Sequence, residues 1–356
     1  MKKYLILALP VLVASAACTK VEVQDTVEQA VTFNVVNYLH QTRAYNAYST
    51  EDTFGTFAFF TQTDWETDGD GTVFIENEEV LYGPSYAEGE WGTATRYFWP
   101  KTAKLTFASY SPYVDAASAA SKGFSAVPTY TKRDGFAFPR YKIVPETDVD
   151  LMVADLTTDQ TANLSEYAVS SNTQGVPTLF RHQLTQVAVV FRSTENANPN
   201  VTGSEIVVKD VWLSNIRNEG SYTQNSDPVW SDQSGEVVYD FNPGGQLVLT
   251  EPGRDYYPSV RSRILLPQPL VRGYGFTQGQ QLNVVFSIRS VFEDGRTVDG
   301  DEITSTVDLY SLDIPDWLPN MSVVYTITID AVSQDPITFD PAIAEWSLTS
   351  AGNLTI

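Results

Sequence analysis

Short runs in which apolar and polar residues alternate recur along the chain, and this two-residue period most restricts its fold. Examples are 54-FGTFAFFTQ-62, 73-VFIENEEVLYG-83, 104-KLTFASYSPY-113, 184-LTQVAVVFRS-193, 205-EIVVKDVWLSNI-216, 282-LNVVFSIRSVFE-293 and 323-VVYTITIDAV-332. Side chains alternate across a strand, so this pattern gathers the apolar set on one sheet face. Gly, Pro, Asp and Asn punctuate the runs and supply turns. A 3.6-residue period is absent outside the N-terminal apolar run, although 115-DAASAASKG-123 and 161-TANLSEYAV-169 each suit a helical turn. The expectation is an all-β chain built from antiparallel sandwiches. Its 356 residues exceed one ordinary sandwich and suit two domains. The polar stretch 154-ADLTTDQTANLSEYAVSSNTQGVP-177 places the boundary, giving domains over 44–176 and 177–356 with no repeat between them.

The first residues read as an export signal over 1–17. Lys2 and Lys3 precede the apolar run 4-YLILALPVLVASAAC-18, which Pro10 interrupts and which is short for a membrane span. Ser15, Ala16 and Ala17 lead into Cys18, the single cysteine, so no disulfide forms within the chain. The pattern resembles a bacterial lipobox with Ser15 where Leu is usual; a plain secretory signal is the simpler alternative. Two or three acyl chains on Cys18 would anchor stably, at roughly 0.8 kcal/mol per buried CH₂. Residues 18–43 then form a tether and a first strand.

The net charge of −22 argues against nucleic-acid partners. Catalytic motifs are missing: the two histidines are far apart, and no H-E-x-x-H, P-loop, G-x-S-x-G or Cys-His pair occurs. No enzyme activity and no cofactor are expected. His182, between Phe180 and Leu184, reads as a hydrogen-bonded structural histidine. In 64-DWETDGDGTVFIE-76, Glu66, Asp68 and Asp70 fall at the first three acidic positions of a calcium loop, with Gly71 at the sharp turn. Asn77 stands where such a loop carries Glu, and Asp-Gly-Asp-Gly is equally a hairpin turn. The clusters 97-YFW-99, 110-YSPY-113 and 256-YY-257 suit either core packing or a sugar-binding platform.

The segment 31-VTFNVVNYL-39 is a strand with Val31, Phe33, Val35 and Leu39 on one face, followed by Arg43 and Ala44. Burying four such side chains contributes about 6–12 kcal/mol gross. A domain's net stability is only about 5–15 kcal/mol. A domain deprived of this strand would be driven to accept a substitute. The last segment, 334-QDPITFDPAIAEWSLTSAGNLTI-356, is strand-forming, with Pro336 and Pro341 restricting its pairing to edges or breaks.

Taken in order, Cys18, the strand 31–39, 42-TRA-44, 97-YFWPKTAKLTFASYSPY-113, 150-DLMVA-154, 180-FRHQLTQVAVVF-191 and 337-ITFDPAIAEWSLT-349 resemble the fimbrillins of Bacteroidales-type (type V) pili. The resemblance spans nearly the whole chain. It implies two transthyretin-like antiparallel β-sandwich domains in tandem and export as an outer-membrane lipoprotein acylated at Cys18. It further implies cleavage between Arg43 and Ala44 by an arginine-specific, gingipain-like protease. The strand bearing Val31, Phe33, Val35 and Leu39 would then leave. The terminal strand of another subunit, with Trp346, Leu348, Leu354 and Ile356, would fill its place. The implied role is a stalk-type subunit of a cell-surface fimbrium. Its implied partners are copies of itself or related subunits, membrane lipid before cleavage, and a host or bacterial surface ligand. A surface glycan-binding lipoprotein of a polysaccharide-uptake system is the alternative, and a secreted glycoside hydrolase a weaker one.

Overall fold

Twenty-five strands account for the described secondary structure, with only short 3-10 turns beside them, including Ala120–Lys122 and Leu309–Ser311. The computed structural model describes residues 26–38, 45–144, 149–162, 175–194, 203–242, 244–273, 278–331, 337–344 and 346. The first half carries β1 (Thr26–Ala30), β2 (Thr32–Tyr38), β3 (Tyr45–Ala47), β4 (Phe54–Thr61), β5 (Thr72–Tyr82), β6 (Trp91–Thr93) and β7 (Phe98–Pro100). It continues with β8 (Lys104–Ser111), β9 (Thr129–Thr131), β10 (Gly135–Lys142), β11 (Met152–Ala154), β12 (Thr157–Gln160) and β13 (Val176–His182). The second half carries β14 (Thr185–Ser193), β15 (Gly203–Ile216), β16 (Glu219–Thr223), β17 (Trp230–Ser234), β18 (Val237–Asp240) and β19 (Leu247–Leu249). It ends with β20 (Ser262–Leu265), β21 (Gln281–Val291), β22 (Thr297–Asp299), β23 (Ile303–Asp308), β24 (Met321–Ile329) and β25 (Ile337–Ala344).

The main sheet of the first half closes on itself. Its order is β2-β6-β5-β4-β8-β11-β13, and β13 returns to β2. β3 adds to β2 and β12 to β8. Inside the ring lie Phe33, Phe54, Phe107, Phe180 and their neighbours. Phe57 and Phe59 of β4, and Ala108 and Tyr110 of β8, face the other way into a second core. Both faces of β4 and β8 are therefore buried, and the polar Thr56, Thr61, Thr106 and Ser109 are enclosed with the apolar side chains.

What covers that outer face is a four-stranded sheet, β17-β16-β10-β9, contributed by both halves of the chain. β10 pairs with β16 from Ala137↔Thr223 to Lys142↔Glu219, and Phe138 stacks on Tyr222 with ring centres 5.2 Å apart. The remaining strands form two sheets, β20-β14-β24-β25 and β18-β15-β21-β22, with β19 and β23 added to the latter. Their inner side chains, among them Val187, Phe191, Val208, Phe286 and Tyr325, belong to the same continuous core.

The all-β expectation holds among the described residues. The purely antiparallel one needs correction: β2 pairs with β13, and β14 with β24, in parallel. Both pairings join strands remote in sequence, as parallel pairing requires long connections. The strand 176–182, at the expected boundary between domains, is hydrogen-bonded in the first ring, and the chain passes to the second half at Gln183 and Leu184.

Tyrosines fill much of this core. Burial pushes the Tyr130 phenol up to about 12 and, with nearby Glu78 adding to it, Tyr97 likewise to about 12. Tyr48, Tyr110, Tyr141, Tyr222, Tyr239 and Tyr325 are raised further, chiefly by burial. The unfolded chain ionises first, so stability is full below the ordinary tyrosine value near 10 and falls as pH rises toward the folded values. Unfolding followed at stepwise higher pH is expected to show this loss beginning above about pH 10. Tyrosinate absorbance should appear together with unfolding; ionisation of these rings in a still-folded protein would contradict the packing.

Candidate functional site

β2 is the strand on which the first ring closes. One edge pairs in parallel with β13, from Val176↔Phe33 to Phe180↔Asn37. The other edge is shared: β6 takes Thr32 and Phe33, and β3 takes Val36 to Tyr38. Ahead of it, β1 pairs with β7, and the Val31 amide donates to the Tyr97 carbonyl at 2.9 Å. Val31, Phe33 and Val35 are buried while Asn34 is exposed. Phe33 meets Phe54 and Phe107 edge-on, both with centres 5.7 Å away. At roughly 1.5–3 kcal/mol per side chain, these three apolar residues contribute about 5–9 kcal/mol gross.

The wall of the slot is built to receive β2 closely. Gly175, just before β13, has φ +89°, and a Cβ there would lie 2.7–2.9 Å from the Phe33 backbone. The glycine reads in sequence only as a loop residue; its closeness to Phe33 has no local signal. Arg43 and Ala44 fall in the connection between β2 and β3, and with Leu39 they lie outside the described residues. Tyr48 follows shortly after. It is buried, stacks on Phe180 at 5.2 Å, and its hydroxyl lies 2.7 Å from that of Ser111. From Tyr48 onward the chain is thus fastened to the ring by contacts that do not involve β2.

At the other end, β25 is an edge strand paired, among the described residues, with β24 alone, and its side chains are half-buried or exposed. Two residues beyond it, Trp346 is buried and stacks face to face on His182, with ring centres 4.1 Å apart and 15° between planes. His182 Nδ1 is 2.6 Å from Asp150 Oδ2, and His182 pairs with Met152 across β13 and β11. The structural reading of His182 therefore matches its surroundings, but its partners, Asp150 and Trp346, are remote in sequence. Cys18, Leu348, Leu354 and Ile356 lie outside the described residues.

The acidic loop of Glu66, Asp68 and Asp70 already contains a positive charge. The Lys132 ammonium donates to the carbonyls of Asp68 at 2.8 Å and Gly69 at 3.1 Å, and also to that of Trp65. Asp68 accepts from the Gln62 and Gly69 amides. No group of three His, Cys, Asp or Glu gathers for a metal among the described residues. Gly71, at φ +68°, makes this stretch a tight turn. Of the aromatic clusters, Trp99 and Tyr110 are fully buried, and Tyr97, Phe98, Tyr113, Tyr256 and Tyr257 are half-buried. A cavity of about 400 Å³ opens in the second half among Pro228, Val229, Pro267, Pro269, Leu318 and Pro319, with Arg217 and Asp316 also lining it.

The described strands form an all-β protein in which β2 completes a closed sheet. The sequence profile of the Fimbrillin-like family matches residues 42–346, and the chain belongs to that family. A fimbrial protein from Bacteroides vulgatus ATCC 8482 is similar in structure, with TM-score 0.59 at 18% identity over 89% of this chain and 99% of that one. Candidate cell adhesion proteins from Bacteroides ovatus ATCC 8483 and Bacteroides uniformis ATCC 8492 also match. The first has TM-score 0.48 at 16% identity over 90% of this chain and 98% of that one. The second has TM-score 0.43 at 16% identity over 89% of this chain and 99% of that one. A comparison with proteins of curated function finds no match.

Proposed function

We propose that the chain is a structural subunit of a cell-surface fimbrium that assembles by strand exchange and supports adhesion. In this reading it is exported as a lipoprotein acylated at Cys18 and cut between Arg43 and Ala44. β1 and β2 then leave, and the terminal strand of another subunit enters between β13 and the β6–β3 edge. The observation that carries the reading is the place of β2. It is N-terminal in the described fold, completes a closed ring, buries Val31, Phe33 and Val35, and is joined to the rest through the segment bearing Arg43. Its loss would leave an apolar slot flanked by unpaired backbone, a template for an added strand. Family membership supports the fimbrial role, and the fold shared with the Bacteroides vulgatus fimbrial protein agrees with it. The edge position of β25 supports a terminus that can reach outward, as a stalk subunit needs.

The test is incubation of the lipid-free protein with an arginine-specific protease, followed by electrophoresis in SDS without boiling. A ladder of multimers is expected from the wild type and none from Arg43→Ala. A protein cut after Arg43 that remains monomeric would sink the strand-exchange reading.

A further inference from the structure

His182 stands at the end of β13, the strand whose edge carries β2. Its ring is held from one side by Asp150, which precedes β11, and covered by Trp346 from the C-terminal segment. The adjoining backbone is fixed as well, with the Gln183 amide donating to the Leu151 carbonyl at 2.8 Å. The side chain of His182 is 1% exposed, that of Asp150 10%, and Trp346 5%. This contrasts with β25, where Ile343 is 49% exposed. Trp346 is therefore a point of deep attachment on an otherwise superficial segment. Its Nε1 and Asp150 Oδ1 are buried without hydrogen-bond partners among the described residues. Among the described residues the attachment of Trp346 rests on ring stacking and burial, and none of them hydrogen-bonds its indole N–H.

We propose that Asp150, His182 and Trp346 form a clasp that keeps the C-terminal segment on its own subunit while β2 is in place. The clasp limits strand donation until β2 has gone. β13 links the two events: with β2 present it is hydrogen-bonded on both edges, and without β2 it is held by β11 alone. Loss of one edge loosens the strand that positions His182, and the uncompensated Trp346 is then the first contact to open. This inference rests on the fimbrial reading for its consequence, but the clasp itself can be measured without it.

The experiment compares the full uncut chain with Trp346→Ala and Trp346→Phe. Hydrogen exchange over residues 337–356 is expected to be about ten-fold faster in Trp346→Ala, with the Phe variant, which retains a stacking ring, close to the wild type. Protection of β2 should be equal in all three, which separates the clasp from general unfolding. Donation is then read by mixing uncut chains with protease-cut wild type as acceptor. An uncut His182→Ala chain, which loses the stacking partner of Trp346 and keeps the donor segment intact, should donate into SDS-resistant multimers about ten-fold faster than the uncut wild type. Unchanged exchange at the terminus overturns the clasp, and faster exchange with unchanged donation overturns its control of assembly. If cut wild type alone yields no multimers, the fimbrial reading fails, and that outcome is recognised without reference to Trp346.

Discussion

Phe33→Ala is expected to cost the full-length chain about 3–5 kcal/mol, the range for emptying a well-packed phenylalanine site. Phe33 is 2% exposed and sits between Phe54 and Phe107 with no solvent to fill the space it leaves. Against a net stability of about 5–15 kcal/mol, such a loss is large. Urea unfolding of the uncut protein measures it directly. The informative comparison is with the same variant after cleavage at Arg43. If cleavage releases β2 as proposed, residue 33 departs with it, and multimers from cut Phe33→Ala should match the wild type in yield and in resistance to SDS. A defect that persisted in those multimers would show that β2 stays with the mature subunit. A permanent core strand and a temporary one thus give opposite results from one substitution.

The second large effect is expected at Gly175. Its φ of +89° disfavours any side chain, and a Cβ would press into the backbone of Phe33 instead of a side chain able to turn away. Gly175→Ala carries about 1–3 kcal/mol of backbone strain. The contact adds to this by pushing β2 off β13, where the parallel pairing begins at Val176↔Phe33. The expected signature is loss of hydrogen-exchange protection confined to β2, with faster proteolysis at Arg43 and an intact second half. Unaltered protection of β2 would show that the close approach does not govern its docking. Because both substitutions act on the contact between the same two strands, Phe33→Ala and Gly175→Ala should combine less than additively.

Individual strands were the legible part of this chain. The runs at 54–62, 73–83, 184–193, 205–216 and 323–332 correspond to β4, β5, β14, β15 and β24. Their alternation is a local consequence of facing a core. Pairing was not legible, because the partner of a strand is chosen by the tertiary fold. Nothing near Phe33 indicates that it runs parallel to Val176, and nothing near His182 indicates Trp346. The sheet uniting the halves lacks a sequence signal for a different reason. β10 is interrupted by Pro139 and Arg140, two of its three exposed residues, and β16 is the polar stretch Glu219–Thr223, so neither reads as an apolar strand. The acidic loop was legible as a turn, but nothing near it indicated that Lys132, from a separate hairpin, reaches the carbonyls of Asp68 and Gly69.

The sheet shared by the two halves has a mechanical meaning. A fibre subunit joined by a loose linker would extend when pulled, because the linker would straighten first. Here β10 and β16 bind one half to the other through paired backbone and the stacked rings of Phe138 and Tyr222. Separating the halves requires rupturing these hydrogen bonds as a group and exposing the core behind them. Such a subunit behaves as one stiff segment, and compliance in a fibre made of it resides at the joints between subunits.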